Sequence, residues 1–482
     1  MKPINLLVLG STEPLEVAMI CETALSLVSE NKNVIVIDLI SNSNKPLNFY
    51  FAEKINQFKL KRSKKIFINN GINVITIDNK THKVATLNSE LIALAEKAAQ
   101  MELVAVKRDI NPCEYCSSKQ KQKLENAFLQ TFLKLEDYLN NIELESIYIY
   151  NGRFIIGNAC WQLANKYNLK VLFLESITMD KPNKYWIFEE PVHSTGYRYK
   201  AINNFITEQF KSDPTAITKL ASDWYDKRID GTGQGFTSNQ NILYVNKFPE
   251  ETLVSYFTSS EDEMILLDLE DSIFGGQKKI ILNLANYFSN LAKLRFVIRL
   301  HPNTNHKSPR EIERWIKFES YITRKYRFVK FINASSKVNS YSLIKASNLV
   351  VTSGSTVNLE AAYLKIPTVL IGKGLYKDLQ IAYTPRNYEE FFACFNQYLR
   401  NLGNKHYENS LKVGAFQSLA GLAYKFVHID KTGKNIEVFD YKLSNSRIYG
   451  LALKFDKFLL KCKENSLHAI FHKKCFSETT FD

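Results

Sequence analysis

The chain has 482 residues, of which 45% are hydrophobic and 23% charged, and a formal net charge of +14 at pH 7. That length exceeds one ordinary core and points to two or three domains, and the apolar content excludes an extended disordered chain. The positive charge favours anionic partners, but without an RNP-type aromatic motif, zinc-finger spacing or a helix-turn-helix pattern, nucleic acid is the least supported of them.

In chain order, the N-terminal stretch "MKPINLLVLGSTEPLEV" meets Glu13 and Pro14 before a signal-peptide core is complete, and no later apolar run reaches the roughly 18 residues that span a bilayer. The expected location is cytoplasmic. Apolar runs "INLLVLG", "NVIVIDL" and "INVITID" alternate with amphipathic stretches at 14–30, 88–106 and 119–139, followed by "LESIYIYNG", "IIGNACWQLANKYN" and "KVLFLES". Strands alternating with helices predict a parallel sheet covered on both faces. The seven cysteines are an odd and sparse set that suits a reducing compartment, and Cys113 and Cys116 in "NPCEYC" read as two loop thiols rather than a zinc site.

From 185 to 235 the pattern turns aromatic and irregular, with one or two polar helices, and ends in "RIDGTGQGFTSNQN", whose three alternate glycines make the best candidate linker. A second alternation then runs through "TLVSYFTSSEDE", a helix at 276–294, "RFVIRLHPNT", a helix at 309–326, "FVKFIN", a short helix near Leu343, "NLVVTSGS", a helix at 356–364 and "PTVLIG". Two doubly wound halves place a cleft between the carboxyl ends of two parallel sheets, where open α/β sheets bind ligands. The last 80 or so residues include "YGLALKFDKFLLKCK", which reads as a terminal helix packed on the body or as a patch for anionic lipid headgroups.

Three strand ends of the second half carry polar clusters. In "FTSSEDE", Ser259 and Ser260 precede three acidic residues, a pattern that also suits an ordinary helix cap. In "VIRLHPNT", Arg299 and His301 lie at a strand end, where an imidazole can bind or protonate a phosphate. In "VVTSGSTVNLE", Ser353, Gly354, Ser355 and Thr356 surround the start of a helix, an arrangement suited to phosphate, and Glu360 is one turn further on, where a carboxylate can accept from ribose hydroxyls or simply be solvated.

The series "FTSSEDE", "RLHPNT", "TSGSTVNLEAAYLKIPTVLIG" and "YTPRNYEE", with "YIYNGR", "LES" and "EPVHS" before it, resembles the capsule polysaccharide synthesis family of glycosyltransferases over about residues 145–400. The His-Pro pair and the Ser/Thr turn are also similar to GT-B sialyltransferases, Kdo transferases and CDP-glycerol glycerophosphotransferases, which use cytidine-nucleotide donors. The resemblance implies a GT-B architecture of two Rossmann-like, doubly wound domains facing a central cleft. It further implies a metal-independent transferase without cofactor, in which His301, Ser353, Ser355 and Thr356 hold the phosphate of a nucleotide-sugar such as CMP-Kdo and Glu360 faces the nucleotide; Ser259, Ser260, Arg299 and Gly354 at the same strand ends are further donor-site candidates. Catalytic candidates are His301 with Glu13 or Glu175 of the first half, and Asn151 and Arg153 are candidates for the acceptor or a sugar carboxylate. A D/E-D/E-G triplet like the one that serves the sialyltransferases as base is absent from the sequence.

The expected domains are 1–235 for the acceptor, 236–400 for the donor, and a helical segment at 401–482 packing back on the body. The expected acceptor is a surface polysaccharide or lipid-linked glycan, reached at the inner face of the membrane. A glycerophosphotransferase, a nucleotide-sugar epimerase and a non-catalytic glycan-binding or export protein are the alternatives on the same fold.

Overall fold

The runs "INLLVL" and "VLFLES" show no polar alternation because helices cover both faces of their sheet, and each forms a largely buried parallel strand. The computed structural model describes residues 3–442 apart from 12, 41–49, 78–87, 141, 177–183, 192–193, 212, 231–239, 247–248, 267–272, 401–403, 431–435 and 439–440. The glycine-rich linker candidate falls largely outside the described residues, and the basic stretch at 449–463 falls wholly outside them.

Two compact units emerge, one of residues 1–106, 111–192 and 421–479, the other of 107–110, 193–420 and 480–482. The first contains β1 (Ile4–Leu9), α1 (Pro14–Ser29), β2 (Asn33–Asp38), α2 (Tyr50–Asn69), β3 (Asn73–Thr76), α3 (Ser89–Lys107, whose last residue counts with the second unit), α4 (Glu114–Leu139), β4 (Leu144–Tyr150), α5 (Ile155–Lys166), β5 (Val171–Ser176) and β6 (Lys184–Phe188). The second contains α6 (Thr195–Gln209), α7 (Pro214–Ile229), β7 (Thr252–Phe257), α8 (Glu261–Leu266), α9 (Gln277–Phe288), β8 (Leu294–Arg299), α10 (Pro309–Lys325), β9 (Val329–Ile332), α11 (Ser340–Ala346), β10 (Leu349–Thr352), α12 (Val357–Tyr363), β11 (Thr368–Leu370), α13 (Tyr388–Arg400) and α14 (Asn404–Leu419). The chain then returns to the first unit as β12 (Leu422–Ala423), β13 (Val427–Ile429), β14 (Ile436–Val438) and β15 (Tyr441–Lys442).

The first sheet has the order β12-β6-β5-β4-β1-β2-β3, parallel from β5 to β3, with β6 antiparallel to β5 and β12 to β6. The second has the order β11-β10-β7-β8-β9 and is parallel throughout. Both are Rossmann-like doubly wound sheets, in agreement with the α/β class expected from the sequence. In each, strand order reverses beside the first strand, between β1 and β4 in one unit and between β7 and β10 in the other, and these reversals are the ligand positions of open α/β sheets.

The divisions expected at 235 and 400 are not where the structure divides. Helices α6 and α7 belong with the second unit because α7 packs on α14: the Tyr225 hydroxyl donates to the Ser410 carbonyl at 2.9 Å and Ser418 Oγ to the Leu220 carbonyl at 2.9 Å. The segment at 401–482 is likewise split, since α14 stays in the second unit while 421–442 forms strands of the first. Among the described residues, no helix is long and apolar enough to cross a membrane.

Asn151 and Gly152 turn the chain after β4 with φ of 62° and 70°. A Cβ on Gly152 would lie 2.6 Å from Phe173 Cε1, so only glycine fits there. Gly152→Ala should cost about 2–4 kcal/mol from the left-handed backbone and the overpacked ring. The urea midpoint of the first unit reads it, and an unchanged midpoint would show that the turn relaxes freely.

Candidate functional site

The second unit's site is built at adjoining strand ends. β7, β8 and β10 lie side by side, so Thr258, His301 and Ser353 follow neighbouring strands, with the outer two separated by about two strand spacings, roughly 10 Å. This is the clustering expected for the three polar motifs. Thr258, not singled out in the sequence, joins two of these ends: its Oγ1 accepts from the His301 amide at 2.7 Å and donates to the Arg299 carbonyl at 3.4 Å.

His301 Nδ1 accepts from the Asn303 amide at 3.1 Å, and this bond places the proton of the neutral ring on Nε2. Burial, then the charges of Lys307, Arg299 and Arg108, push the imidazole down to about 4 against the pull of Asp262. At neutral pH the ring is therefore an Nε2–H donor, the form suited to hydrogen-bonding a phosphate oxygen. Behind it, Lys307 Nζ lies 2.9 Å from Asp262 Oδ1 with both side chains at 2% exposure or less, and Arg108 Nη1 lies 3.7 Å from Oδ2. Burial works to raise the Asp262 carboxyl, but Lys307, the Ser260 hydroxyl and Arg108 hold it below its ordinary range.

The linkage of His301 to stability follows from its sign. A group whose folded pKa is near 4 against 6.5 unfolded leaves the unfolded chain to take up the proton first, so stability falls as pH drops through that window. His301→Asn should lose this dependence, and its stability relative to wild type should improve by up to about 3 kcal/mol between pH 7 and pH 4. Denaturation at several pH values reads the gap, and a gap that stays constant would place the imidazole in water.

The other expected donor residues divide into two groups. Ser259 Oγ is buried with no hydrogen-bond partner, while the Ser259 main chain is clasped by Gln277, its amide donating to Oε1 at 2.7 Å and its carbonyl accepting from Nε2 at 3.1 Å. Ser353 and Gly354 form the turn after β10; Gly354 has φ of 76°, and a Cβ there would lie 3.0 Å from Met264 Sδ and 3.1 Å from the Lys373 carbonyl oxygen. Beneath them, Thr352 Oγ1 is buried without a partner.

By contrast, Ser260 Oγ donates to Asp262 at 2.9 Å, and Ser355 Oγ accepts from the Val357 amide at 3.3 Å, both local caps. Thr356 is exposed and its side chain makes no capping bond. Arg299 spends its guanidinium on the Asn333 and Ser336 carbonyls of the loop after β9, with burial pulling its pKa to about 10, so it braces the strand ends instead of reaching a donor. Glu360, 2% exposed, is not solvated: Oε1 accepts from Arg228 Nε at 3.1 Å and Nη2 at 2.9 Å, and Oε2 has no hydrogen-bond partner.

In the first unit, Asn151, Arg153 and Glu175 come together as a cluster. Asn151 Nδ2 donates to Glu175 Oε2 at 2.8 Å, Arg153 Nη2 lies 3.4 Å from the same oxygen, and Arg153 Nε donates to Asn151 Oδ1. Glu13 stands apart, exposed at the head of α1. The carboxylate drawn to the end of β1 is Glu16, which accepts from the Gly10 and Ser11 amides at 3.1 and 2.9 Å and from Ser11 Oγ at 2.5 Å. Burial lifts Glu16 to about 7 against those donors, and the half-buried Tyr150 has its hydroxyl raised by desolvation, then by Glu175 and Glu16. The signal for Glu16 was its place three residues into the helix, where a capping-box glutamate reaches back to free amides. Among the described residues, no three His, Cys, Asp or Glu side chains are grouped so as to hold a metal ion.

No protein-family model matches the chain, and no curated protein matches it. Among solved structures, it is similar to KpsC, a beta-Kdo 2,4-transferase of Thermosulfurimonas dismutans, at 12% identity over 56% of this chain and 79% of that one, with a TM-score of 0.35. It is also similar to the UDP-GlcNAc 2-epimerase of Methanocaldococcus jannaschii in complex with UDP-GlcNAc and UDP, at 11% identity over 85% and 98% of the two chains with a TM-score of 0.30. A third is the calicheamicin glycosyltransferase CalG4, at 11% identity over 86% and 94% with a TM-score of 0.29. Alignments at this level say nothing of this chain's reaction.

Proposed function

We propose that this protein is a GT-B glycosyltransferase that moves a sugar from a nucleotide-activated donor, a CMP-sugar such as CMP-Kdo, to a surface polysaccharide or lipid-linked glycan. The observation that carries the reading is His301, a neutral Nε2–H donor fixed at the end of β8, one strand from the reversal of strand order between β7 and β10. As the glycosidic bond breaks, its electron pair stays on the phosphate oxygen, while the acceptor oxygen forms the new bond and passes its proton to a carboxylate of the first unit, for which Glu175 is the candidate. Donors already aimed at that oxygen stabilise the growing charge without having to reorganise.

Ser259 Oγ, buried and unpaired, and the Ser353-Gly354 turn support the same use, since unpaired buried hydroxyls cost free energy until a ligand meets them. In this reading the stabilisation comes from hydrogen-bond donors and no metal is required. Asn151, Arg153 and Glu175 are assigned to the acceptor or to a sugar carboxylate, and the +14 charge suits an anionic donor and a cytoplasmic enzyme working at a membrane surface.

Thermal denaturation with CMP, CDP, UDP and GDP tests it. A cytidine nucleotide at 100 times its Kd should stabilise the protein by about 2.7 kcal/mol, and by less in His301→Ala. Stabilisation by UDP alone would replace the CMP-sugar with a UDP donor, and no stabilisation by any nucleotide would overturn the reading.

A further inference from the structure

We propose that the outer face of α9, with the first turns of α13, binds neutral carbohydrate at a site separate from the strand ends. A cavity of about 370 Å³ is lined there by Asn283, Asn286, Tyr287, Asn290, Tyr388 and Phe392. Helix α9 buries Ile280, Ile281, Leu284, Ala285 and Phe288, so positions 283, 286, 287 and 290, spaced by three and four, form its opposite stripe. Such a stripe ordinarily carries charge. Here it carries three amides and a tyrosine, and in a chain of net charge +14 no charged side chain among the described residues lines the cavity.

The aromatic side is rigid and presents carbon. The Tyr287 ring stacks on Phe392 with centroids 4.2 Å apart and planes at 13°, and its hydroxyl donates to the Phe392 carbonyl at 3.1 Å. Tyr388 stacks on the same Phe392 at 6.0 Å, and its hydroxyl donates to the Phe274 carbonyl at 2.9 Å. With both hydroxyls bonded to main chain, the rings turn apolar surface to the cavity.

The amide side is polar and partly oriented. The Tyr326 hydroxyl donates to Asn286 Oδ1, with Nδ2 of that amide as a further donor. Asn283 and Asn290 make no side-chain hydrogen bond among the described residues. Each amide offers donors and an acceptor, matching the adjacent hydroxyls of a pyranose, which both give and receive, while the C–H face of the ring suits the aromatic wall. An anion would find no cation here, and a fatty ligand would bury three amides without partners.

The occupant stays clear of the candidate donor site. Gln277, which clasps Ser259, opens α9, and Asn286 lies nine residues further, about 13 Å along the helix. The proposal therefore stands whether or not the donor reading does.

The test is the full-length protein on an array of immobilised neutral hexose and N-acetylhexosamine oligosaccharides beside sialylated and sulfated glycans. Retention on neutral glycans is expected, weakened about tenfold in the Asn283→Ala/Asn290→Ala double variant and also weakened in Asn283→Lys, whose ammonium donates hydrogen bonds but accepts none. Melting temperatures and nucleotide-induced shifts of both variants should stay close to those of wild type, since Asn283 is only half-buried and Asn290 is exposed. Retention on no neutral glycan above that of an unrelated protein, or undiminished retention by the variants, would overturn the proposal.

Discussion

Glu22→Ala is expected to destabilise the first unit by about 3 kcal/mol, the cost of leaving buried donors unpaired. Glu22 lies in α1 at 1% exposure and accepts from three successive main-chain amides, those of Lys425, Phe426 and Val427, at 2.7, 2.8 and 3.0 Å. It thereby ties the returning chain at β13 to the body of a unit whose strands β1 to β6 are hundreds of residues earlier. Val427 and Ile429 of β13 and Ile436 and Val438 of β14 pack in one core with Val17, Cys21 and Leu25 of α1, so the tie and the packing fail together. Glu22→Gln keeps one acceptor oxygen but turns an NH2 toward the amides, and should recover little. Urea denaturation with limited proteolysis reads both effects: the midpoint should fall and the chain between 421 and 442 should become cleavable. Protection of that segment in the alanine variant would show that apolar packing alone holds it.

His301→Ala should lower turnover of the donor by about 100- to 1,000-fold, the usual effect of removing one preorganised donor from developing charge. The loss should fall on kcat more than on KM, because the bond is strongest once the leaving oxygen carries full charge. His301→Asn retains a side-chain N–H and should recover part of the rate. Folding should be little disturbed, since the bond to Thr258 is made by the main-chain amide, which any residue supplies. The neutral ring also predicts that the rate shows no ionisation of this group between pH 6 and 8, because its pKa is pushed down to about 4. Release of nucleotide from the donor identified by thermal shift is the measurement. Turnover within about threefold of wild type in His301→Ala would remove this residue from the chemistry.

Much of this was legible in one dimension. The apolar runs that became β1, β4, β5, β7, β8 and β10 lack polar alternation because both faces are covered, and that pattern needs no knowledge of partners. The polar strand ends were legible for the same reason, since a run of hydroxyls or a His-Pro pair directly after a buried strand has to lie at its carboxyl end. Less visible were the antiparallel β6 and the small sheet of β13, β14 and β15, whose two to five residues carry too little period to be distinguished from loop.

The division into units was misread on composition. The glycines at 231–235 suggest a linker from composition, but they do not say on which body the flanking helices pack, and the contacts of α7 with α14 decided that. Side-chain roles were hidden in the same way. Nothing in "VIRLHPNT" shows that Arg299 will be consumed by the carbonyls of residues 333 and 336. Glu360 similarly meets its guanidinium from Arg228, 132 positions away.

By itself the sequence determined which segments are buried strands, that they alternate with helices into parallel sheets, and which polar residues stand at the strand ends, because hydrophobic period and turn chemistry are local properties. Only the tertiary structure decided which carboxylate is drawn to the end of β1, why the His301 ring is neutral, and where the returning chain attaches. Those outcomes depend on burial and on charges brought together across long separations, and a buried group takes its protonation and partners from neighbours that the linear order does not name.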